Sequence, residues 1–374
     1  MREPGKPLMT LRFSAVDTWF FRDARPYHQD DPGQMNIGTL FPPSTRTLVG
    51  ATRSAMARRL GWDGLEAWSD ALKAQIGDSE VLAPLAFRGP LVMRGETLLL
   101  PLPLNVLGSK EAGGFVPRTR LEPGPPVRCD LGAAVRLVRA REPRMGLGLA
   151  EDAWVTSEGL ARVLSGGLPE AQALHRPKEL FTVEPRVGVA RDPLTHAVAE
   201  GMLYSTQHIR PRPGVALTLD VTGWRGEPLA GQVPLGGDGR QAFCQAASPW
   251  QLPASPVADG ARTAAIYLVT PAHLSPTAFK PQTLTIPGLE GLDLVAACVN
   301  KPQRVGGWDM AKRRPVAVST LVSPGAVLYV RGSVERIRAL RQQHGQTIGD
   351  RRDWGNGLIL VGVWDGPLAT STSA

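Results

Sequence analysis

Apolar and polar positions alternate in short runs along most of the chain, the period-two signature of half-buried strands, and only three stretches keep helical spacing. Between residues 11 and 21, Phe13, Val16, Trp19, Phe20 and Phe21 stand among polar neighbours and predict a first strand. A loop rich in Gly, Pro and Asp follows over 23–43. Ser44 is then placed to cap a helix in which Leu48, Ala51, Ala55 and Arg59 recur at helical spacing as far as Gly61. Apolar runs broken by Gly and Pro predict strands over 83–104. Residues 108–126 are polar and Gly-rich and read as a mobile hairpin or loop, from which Arg118 and Arg120 could reach a partner. Trp154-Val155-Thr156 leads into a short helix over 158–164 closed by Gly166 and Gly167, and further strands are expected at 187–190, 202–209 and 215–221.

The last third has the clearest architecture. Strands at 263–270, 292–300, 326–331 and 357–364, with a helix at 334–343, make nearly a β-α-β-β-α-β ferredoxin-like domain whose first helix, near 275–279, is degraded. In the later helix Glu335 suits the first turn, Arg341 and His344 the last, and Val334, Ile337 and Leu340 mark the inward stripe. A segment rich in Pro, Ala, Gly and Asp at 248–261 divides the chain into domains of 1–255 and 256–374. Glu142-Pro143-Arg144-Met145-Gly146 is echoed by Glu184-Pro185-Arg186-Val187-Gly188, but the flanks share no periodicity, so chance explains the echo better than duplication.

Composition sharpens this picture. With 41 Gly and 34 Pro among 374 residues, the connections must be turns and irregular loops, which argues against an all-helical fold. Apolar residues at 43% and charged residues at 20% are an ordinary globular balance. Lys and Arg number 42 against 34 carboxylates, a formal charge of +8, which fits a polyanionic partner as well as an Arg-rich solvated surface. Cys129, Cys244 and Cys298 lie far apart and suggest neither a disulfide framework nor a zinc site; a reducing cytoplasm suits them. The opening residues lack an apolar core of signal-peptide length, and no apolar run is long enough for a membrane span.

Several residues carry chemistry suited to nucleic acid. Ser44, Thr45 and Arg46 sit where a helix start leaves N–H groups unsatisfied, a natural phosphate cradle, and Arg46, Gly50 and Arg53 share one face of that helix. Arg22 and Arg25 flank Asp23 beyond a strand end, with His28 in the same Asp-rich loop. Gly306-Gly307-Trp308 followed by Lys312, Arg313 and Arg314 joins a flexible turn to a ring that bases stack on and to three cations, although Trp308 suits a core equally. Arg186, Arg191, Tyr204, His208 and Arg210 lie on or beside strands that could form an open sheet face, with Tyr204, His208 and Arg210 on one side by alternation; Tyr204 fits a core as well. Single-stranded RNA suits such surfaces because its unstacked bases can be splayed onto them. Enzymatic patterns are weak. The six histidines show no pairing that marks a general base, and His28 is the best candidate for one. Asp30 and Asp31 lack a third ligand, and neither a Walker loop nor a nucleophile elbow nor a two-metal carboxylate pair is present. No cofactor or metal is expected.

Phe20-Phe21-Arg22-Asp23-Ala24-Arg25-Pro26 and Phe41-Pro42-Pro43-Ser44-Thr45-Arg46-Thr47-Leu48-Val49-Gly50-Ala51 open a series of blocks. It continues through Trp154-Val155-Thr156, Glu184-Pro185-Arg186-Val187-Gly188-Val189, Glu200-Gly201-Met202-Leu203-Tyr204 and Leu235-Gly236-Gly237-Asp238-Gly239-Arg240, and closes at Gly306-Gly307-Trp308-Asp309-Met310-Ala311-Lys312. In order and spread this series resembles the Cmr subunit-three family of the RAMP superfamily of CRISPR proteins, of type III-B. The resemblance implies an α+β fold of two ferredoxin-like (RRM-like, RAMP) domains with long Gly/Pro-rich insertions in the first. It also implies a non-catalytic role: gripping the 5′ repeat-derived handle of the crRNA beside the large polymerase-like (cyclase) subunit and the backbone RAMP subunits. The family's late glycine-rich loop corresponds here to the short Gly355-Asn356-Gly357, so its share of RNA contacts is reduced. The rival readings are a RAMP endoribonuclease that matures precursor crRNA and a purely structural assembly subunit.

Overall fold

The computed structural model describes residues 8–24, 36–129, 132–191, 198–275, 284–309 and 314–366. Its centre is a large sheet. Strand Leu8–Ala15 lies antiparallel between Val215–Thr222 and Gln241–Ala247. From the latter the sheet extends to Gly231–Pro234, and from Val215–Thr222 through Ala86–Arg94, Thr97–Pro101 and Trp154–Thr156 to Leu174–His175. The two-residue strand Trp354–Gly355, from late in the chain, adds in parallel to Ala86–Arg94.

This sheet is covered on both sides, and strand alternation decides which side chain goes where. Leu11, Phe13, Val92, Leu99, Leu217 and Leu219 face the helix Thr45–Arg59, packing with its Leu48, Val49 and Met56. Leu91, Met93, Leu98 and Leu100 face the opposite way and share a core with Ile266, Leu328, Val330 and Leu360. On that second face Asp220 is buried, accepts from Thr10 Oγ1 at 2.6 Å and pairs with Arg88, whose other nitrogen donates to Gly345 O at 2.9 Å. A buried carboxylate is tolerable only when it is paired and hydrogen-bonded in this way.

A second sheet supplies the lower layer, antiparallel in the order Asp293–Cys298, Val327–Arg331, Thr263–Leu268, Ile359–Gly362. The helix Val334–Gln342 precedes its last strand; Ser333 caps it by accepting from the Arg336 N–H, and Ile337 and Leu340 are buried as the stripe predicts. The expected first helix of this half falls mostly outside the described residues.

The sequence reading departs from the structure at three places. The first strand stops at Ala15 instead of running to residue 21, because the chain bends at Val16 and Asp17 so that Trp19 bridges Ile209 on another strand. Residues 108–126, expected as a mobile hairpin or loop, do contain a hairpin, but it is part of a three-stranded sheet of Val106–Glu111, Gly114–Cys129 and Gly132–Ala140. Its Pro and Gly residues sit where the register shifts, and Tyr329 Oη anchors it by donating to Leu121 O. In the helix at 45–59 Leu48 is buried as its spacing predicts, but Arg53, expected on a contact face with Arg46, is buried and Arg59 is exposed. The echoed pentapeptides fold differently, the first in a turn and the second within strand Phe181–Arg191.

Candidate nucleic-acid interface

Three segments remote in sequence meet at the start of the helix Thr45–Arg59. Ser44 Oγ accepts from the Thr47 N–H at 3.3 Å, the expected cap. Thr45 Oγ1 donates to Asn356 Oδ1 at 3.0 Å, and Asn356 Nδ2 in turn donates to Arg351 O at 3.3 Å. The Arg46 guanidinium lies 5.2 Å from the centre of the Trp354 ring. Opposite it runs Gly306-Gly307, where a Cβ on Gly307 would stand 3.2 Å from Arg46 Cδ. A cavity of about 40 Å³ lies between Thr45, Arg46, Gly306, Arg351, Trp354 and Asn356, with His273 on its far wall. It has room for water or part of a phosphate group but not for a base.

The cleft is cationic. Burial, and then the nearness of Arg351, pull the Arg46 guanidinium below its ordinary value, with Asp309 opposing them. Two like charges held this close favour an anion between them. Gly355 and Gly357, expected as contact glycines, shape the backbone instead. Both are left-handed, and a Cβ would run into Gly89 O at the first and Ile348 O at the second. They let the loop lie against the sheet and so set the positions of Trp354 and Asn356.

Beside the cleft the pairs Gln303–Val305 with Ser319–Leu321, and Trp308–Asp309 with Arg314–Pro315, form a projecting ladder. Trp308 is 55% exposed, so of its two readings the solvent-facing ring is the one that folds. Arg314 is exposed beside it, while Lys312 and Arg313 lie outside the described residues.

Other expected contacts are engaged elsewhere. Arg53 is buried; its Nε donates to Ile76 O at 2.8 Å, its Nη2 to Asp78 O at 2.6 Å, and it stacks 4.9 Å over Trp68. Burial, against the pull of Asp78, brings its pKa down to about 10. Arg120, too, is internal, donating to Val163 O beside Glu122. On the ribbon Phe181–Arg191 with Val198–Pro211, Arg186 and Arg210 both clamp Asp17 at 2.8 Å and also pair with Glu184. His208 does share their side of the ribbon but is enclosed, stacked on Phe20 at 5.2 Å with Nδ1 3.0 Å from Thr18 Oγ1. The side chains of Arg191 and Tyr204, and Arg25 and His28 altogether, lie outside the described residues. Arg22 is exposed where its backbone bridges Thr39.

The sequence reading missed Arg351, Trp354, Asn356 and His273. The run Arg351-Arg352-Asp353-Trp354 before Gly355 was the available signal, a cation pair and a ring next to a turn. His273 carries none, since its neighbour Asp350, with Oδ2 3.6 Å from Nδ1, is far away in sequence.

The described residues thus form a mixed α/β fold dominated by sheets, with a cation- and ring-lined cleft at a helix start. The structure is similar to a chain of the Type III-B Cmr-beta bound to cognate target RNA and AMPPnP, with a TM-score of 0.52 at 12% identity over 89% of each chain. A chain of Cmr-beta bound to cognate target RNA gives 0.47 at 12% identity over 86% of each, and one of a Csm3-Csm4 subcomplex of type III-A gives 0.38 at 9% over 87% of this chain and 97% of that one. No curated protein matches the sequence. The family model CRISPR-associated protein (Cas_Cmr3) matches residues 11–364, and the chain belongs to that family. It is thus a subunit of the Cmr type of CRISPR effector, as the block series 20–26 to 306–312 implied. No helix among the described residues is long and apolar enough to cross a membrane.

Proposed function

We propose that this chain is a non-catalytic, RNA-binding subunit of a type III-B effector in antiviral defence, which holds the 5′ repeat-derived handle of the crRNA. One observation carries the reading: Ser44–Arg46, Gly306–Trp308 and Arg351–Asn356, far apart in sequence, converge on one cleft with two cations and an exposed ring at its rim. Arg46 and Arg351 take backbone phosphate, the cavity being too small for a base, and Trp308 with Arg314 takes an unstacked base next to it. The large polymerase-like subunit and the backbone RAMP subunits dock on the flanks of this cleft, and the assembly works in the cytoplasm. Two ferredoxin-like domains, 1–255 and 256–374, organise the chain. The order of the second sheet, with its first strand between its third and fourth, supports the C-terminal unit.

The test is binding of purified chain to labelled crRNA with and without its handle, across a salt series, with the RNA recovered on a denaturing gel. Handle-dependent binding that weakens steeply with salt and leaves the RNA intact is expected. Binding indifferent to the handle would overturn the reading. Cleaved RNA would establish the endoribonuclease instead, and loss of cleavage on His273→Ala would locate it, because that ring and Asp350 sit beside the cleft arginines.

A further inference from the structure

Towards its edge the central sheet is covered on one side only. In Leu8–Ala15 and Gln241–Ala247 the side that shares a core with the helix Thr45–Arg59 carries Leu11, Phe13, Ala242 and Cys244, all buried. Strand alternation turns Arg12, Ser14, Gln241, Phe243 and Gln245 the other way, joined there by Gln232 of the edge strand Gly231–Pro234. Farther into the sheet that second side is buried at Thr218 and Asp220, but the described residues leave it open at the edge, where Phe243 is 49% exposed.

The surroundings of this ring are neutral and unengaged. Ser14 and Gln232 stand directly opposite Phe243 on the two neighbouring strands, about 5 Å away, and Gln241 and Gln245 flank it on the same side of its own strand, about 7 Å away. None of these four side chains makes a hydrogen bond or ion pair among the described residues. Each amide both donates and accepts, so groups of both kinds surround a single flat apolar surface. No carboxylate lies on this side of the three strands among the described residues. The cation that does lie there, Arg12 opposite Gln245, is committed to Glu96 at 2.8 Å and to Gly214 O at 3.4 Å.

Sheet edges are ordinarily guarded by charge, and this one is not. A phosphate chain gains nothing from a neutral face, and an apolar protein surface laid on it would leave the amides unpaired. An unpaired base matches both features at once, its flat ring lying on Phe243 and the donors and acceptors of its edge meeting the amides. We propose that Phe243 is a stacking platform for one base of single-stranded RNA, read at its edge by Gln232, Gln241 and Gln245. A duplex is refused, because its bases are already stacked and paired. The platform discriminates and the cleft at Arg46 supplies affinity, so the proposal rests on the RNA-binding reading for the anchoring of the strand but not for the platform itself.

The experiment has two arms, both on the full chain. In the first, a 15-nucleotide single strand carrying 4-thiouridine is cross-linked at high protein concentration and the adduct is mapped after trypsin. A nucleotide on the fragment 241–262 is expected, competed by unlabelled single strand and not by the same sequence as a duplex. In the second, affinity for labelled crRNA is measured across a salt series. Phe243→Ala should lower it about fivefold or more, the worth of one stacked base, with the slope of log K against log salt unchanged because no phosphate contact is lost. Phe243→Tyr, which keeps a flat ring, should restore it, and Gln232→Ala/Gln245→Ala should narrow the difference between oligo-A and oligo-U as competitors. Absence of the adduct, equal competition by duplex or wild-type affinity in Phe243→Ala would overturn the proposal. So would a fall in affinity with a shallower salt slope, which would mean a phosphate contact, or an undiminished preference in the glutamine variant. An adduct without handle-dependent binding would leave the platform standing and remove the cleft reading, whereas handle-dependent binding without an adduct would do the reverse.

Discussion

Arg46 and Arg53 show how far two arginines on one helix can differ. The first is half-covered, lies over Trp354 and still reaches the cleft; the second has spent its donors on Ile76 O and Asp78 O. Arg46→Ala should therefore weaken RNA binding by about 1.5–3 kcal/mol and make log K versus log salt shallower by roughly 0.7, with little change in stability. Arg53→Ala should cost about 2–4 kcal/mol of folding stability, read from urea unfolding, because the buried Ile76 O and the part-buried Asp78 O lose their donors, while the folded protein keeps the wild-type salt slope. If instead Arg53→Ala changed the slope, the cleft would have to be redrawn around it. Trp308 gives a third case: with its ring out in solvent, Trp308→Ala should leave the unfolding midpoint in place and remove about 1–3 kcal/mol of RNA affinity, the worth of one stacked base.

At the scale of elements, the ribbon of Phe181–Arg191 and Val198–Pro211 is held to the body by charge. Asp17, on the turn after the first strand, pairs with Arg186 and Arg210, and Arg240 stands 3.5 Å away. Hydrogen bonds from Arg186 and Arg210 depress the Asp17 carboxyl, and those from Arg210 and Arg186 depress Glu184. Carboxyls lowered in the folded state stabilise it above their unfolded values, and that contribution drains away as pH falls through the folded ones. The clamp is thus complete at neutral pH, opens in acid and is screened by salt. Asp17→Asn should raise amide hydrogen exchange over 181–191 and 198–211 at pH 7 while the central sheet stays protected; unchanged exchange would mean that His208 stacked on Phe20 suffices to seat the ribbon. The same network explains why alternation alone misjudged this face. It put His208 and Arg210 on one side correctly, but the partner of Arg210, Asp17, comes from a turn that the apolar pattern places inside a strand.

Across the whole molecule, the connecting segment around Pro253 is tied to the second sheet by His344. Its Nδ1 accepts from the Val361 N–H at 3.0 Å, so the proton sits on Nε2, which donates to Pro253 O at 2.7 Å. Protonation would turn the acceptor into a second donor facing an N–H. Burial lowers the pKa of His344, against its two backbone contacts, and burial lowers His208 as well. For a histidine depressed in the fold, the unfolded chain takes up the proton first, so the stabilisation is whole above about 6.5 and is lost as pH falls from there through the folded value. Urea midpoints should drop between pH 7.5 and 5.5, and His344→Gln should shrink that drop; an equal drop in the variant would assign it to His208 and His175.

The sequence by itself determined what depends on near neighbours. The Ser44 and Ser333 caps, the inward Ile337 and Leu340, the four strands of the second sheet and the ordered blocks that mark the family are local patterns, set by backbone geometry and side-chain period. Tertiary structure alone decided which polar groups remain for a ligand. Arg46 and Arg53 share a helical azimuth and both approach the Trp354 ring, but they stand about 10 Å apart along the axis, one at the open end, the other with its donors taken by the end of the helix Asp70–Ile76 and by Asp78 O. Gly355 and Gly357 turned out to shape a loop because a backbone carbonyl, of Gly89 and of Ile348, lies against each of them, and the polar stretch at 108–126 joins a sheet that Tyr329, from the opposite end of the chain, anchors. A charge's availability depends on what lies within a few ångströms of it, and periodicity along the chain carries no record of that distance.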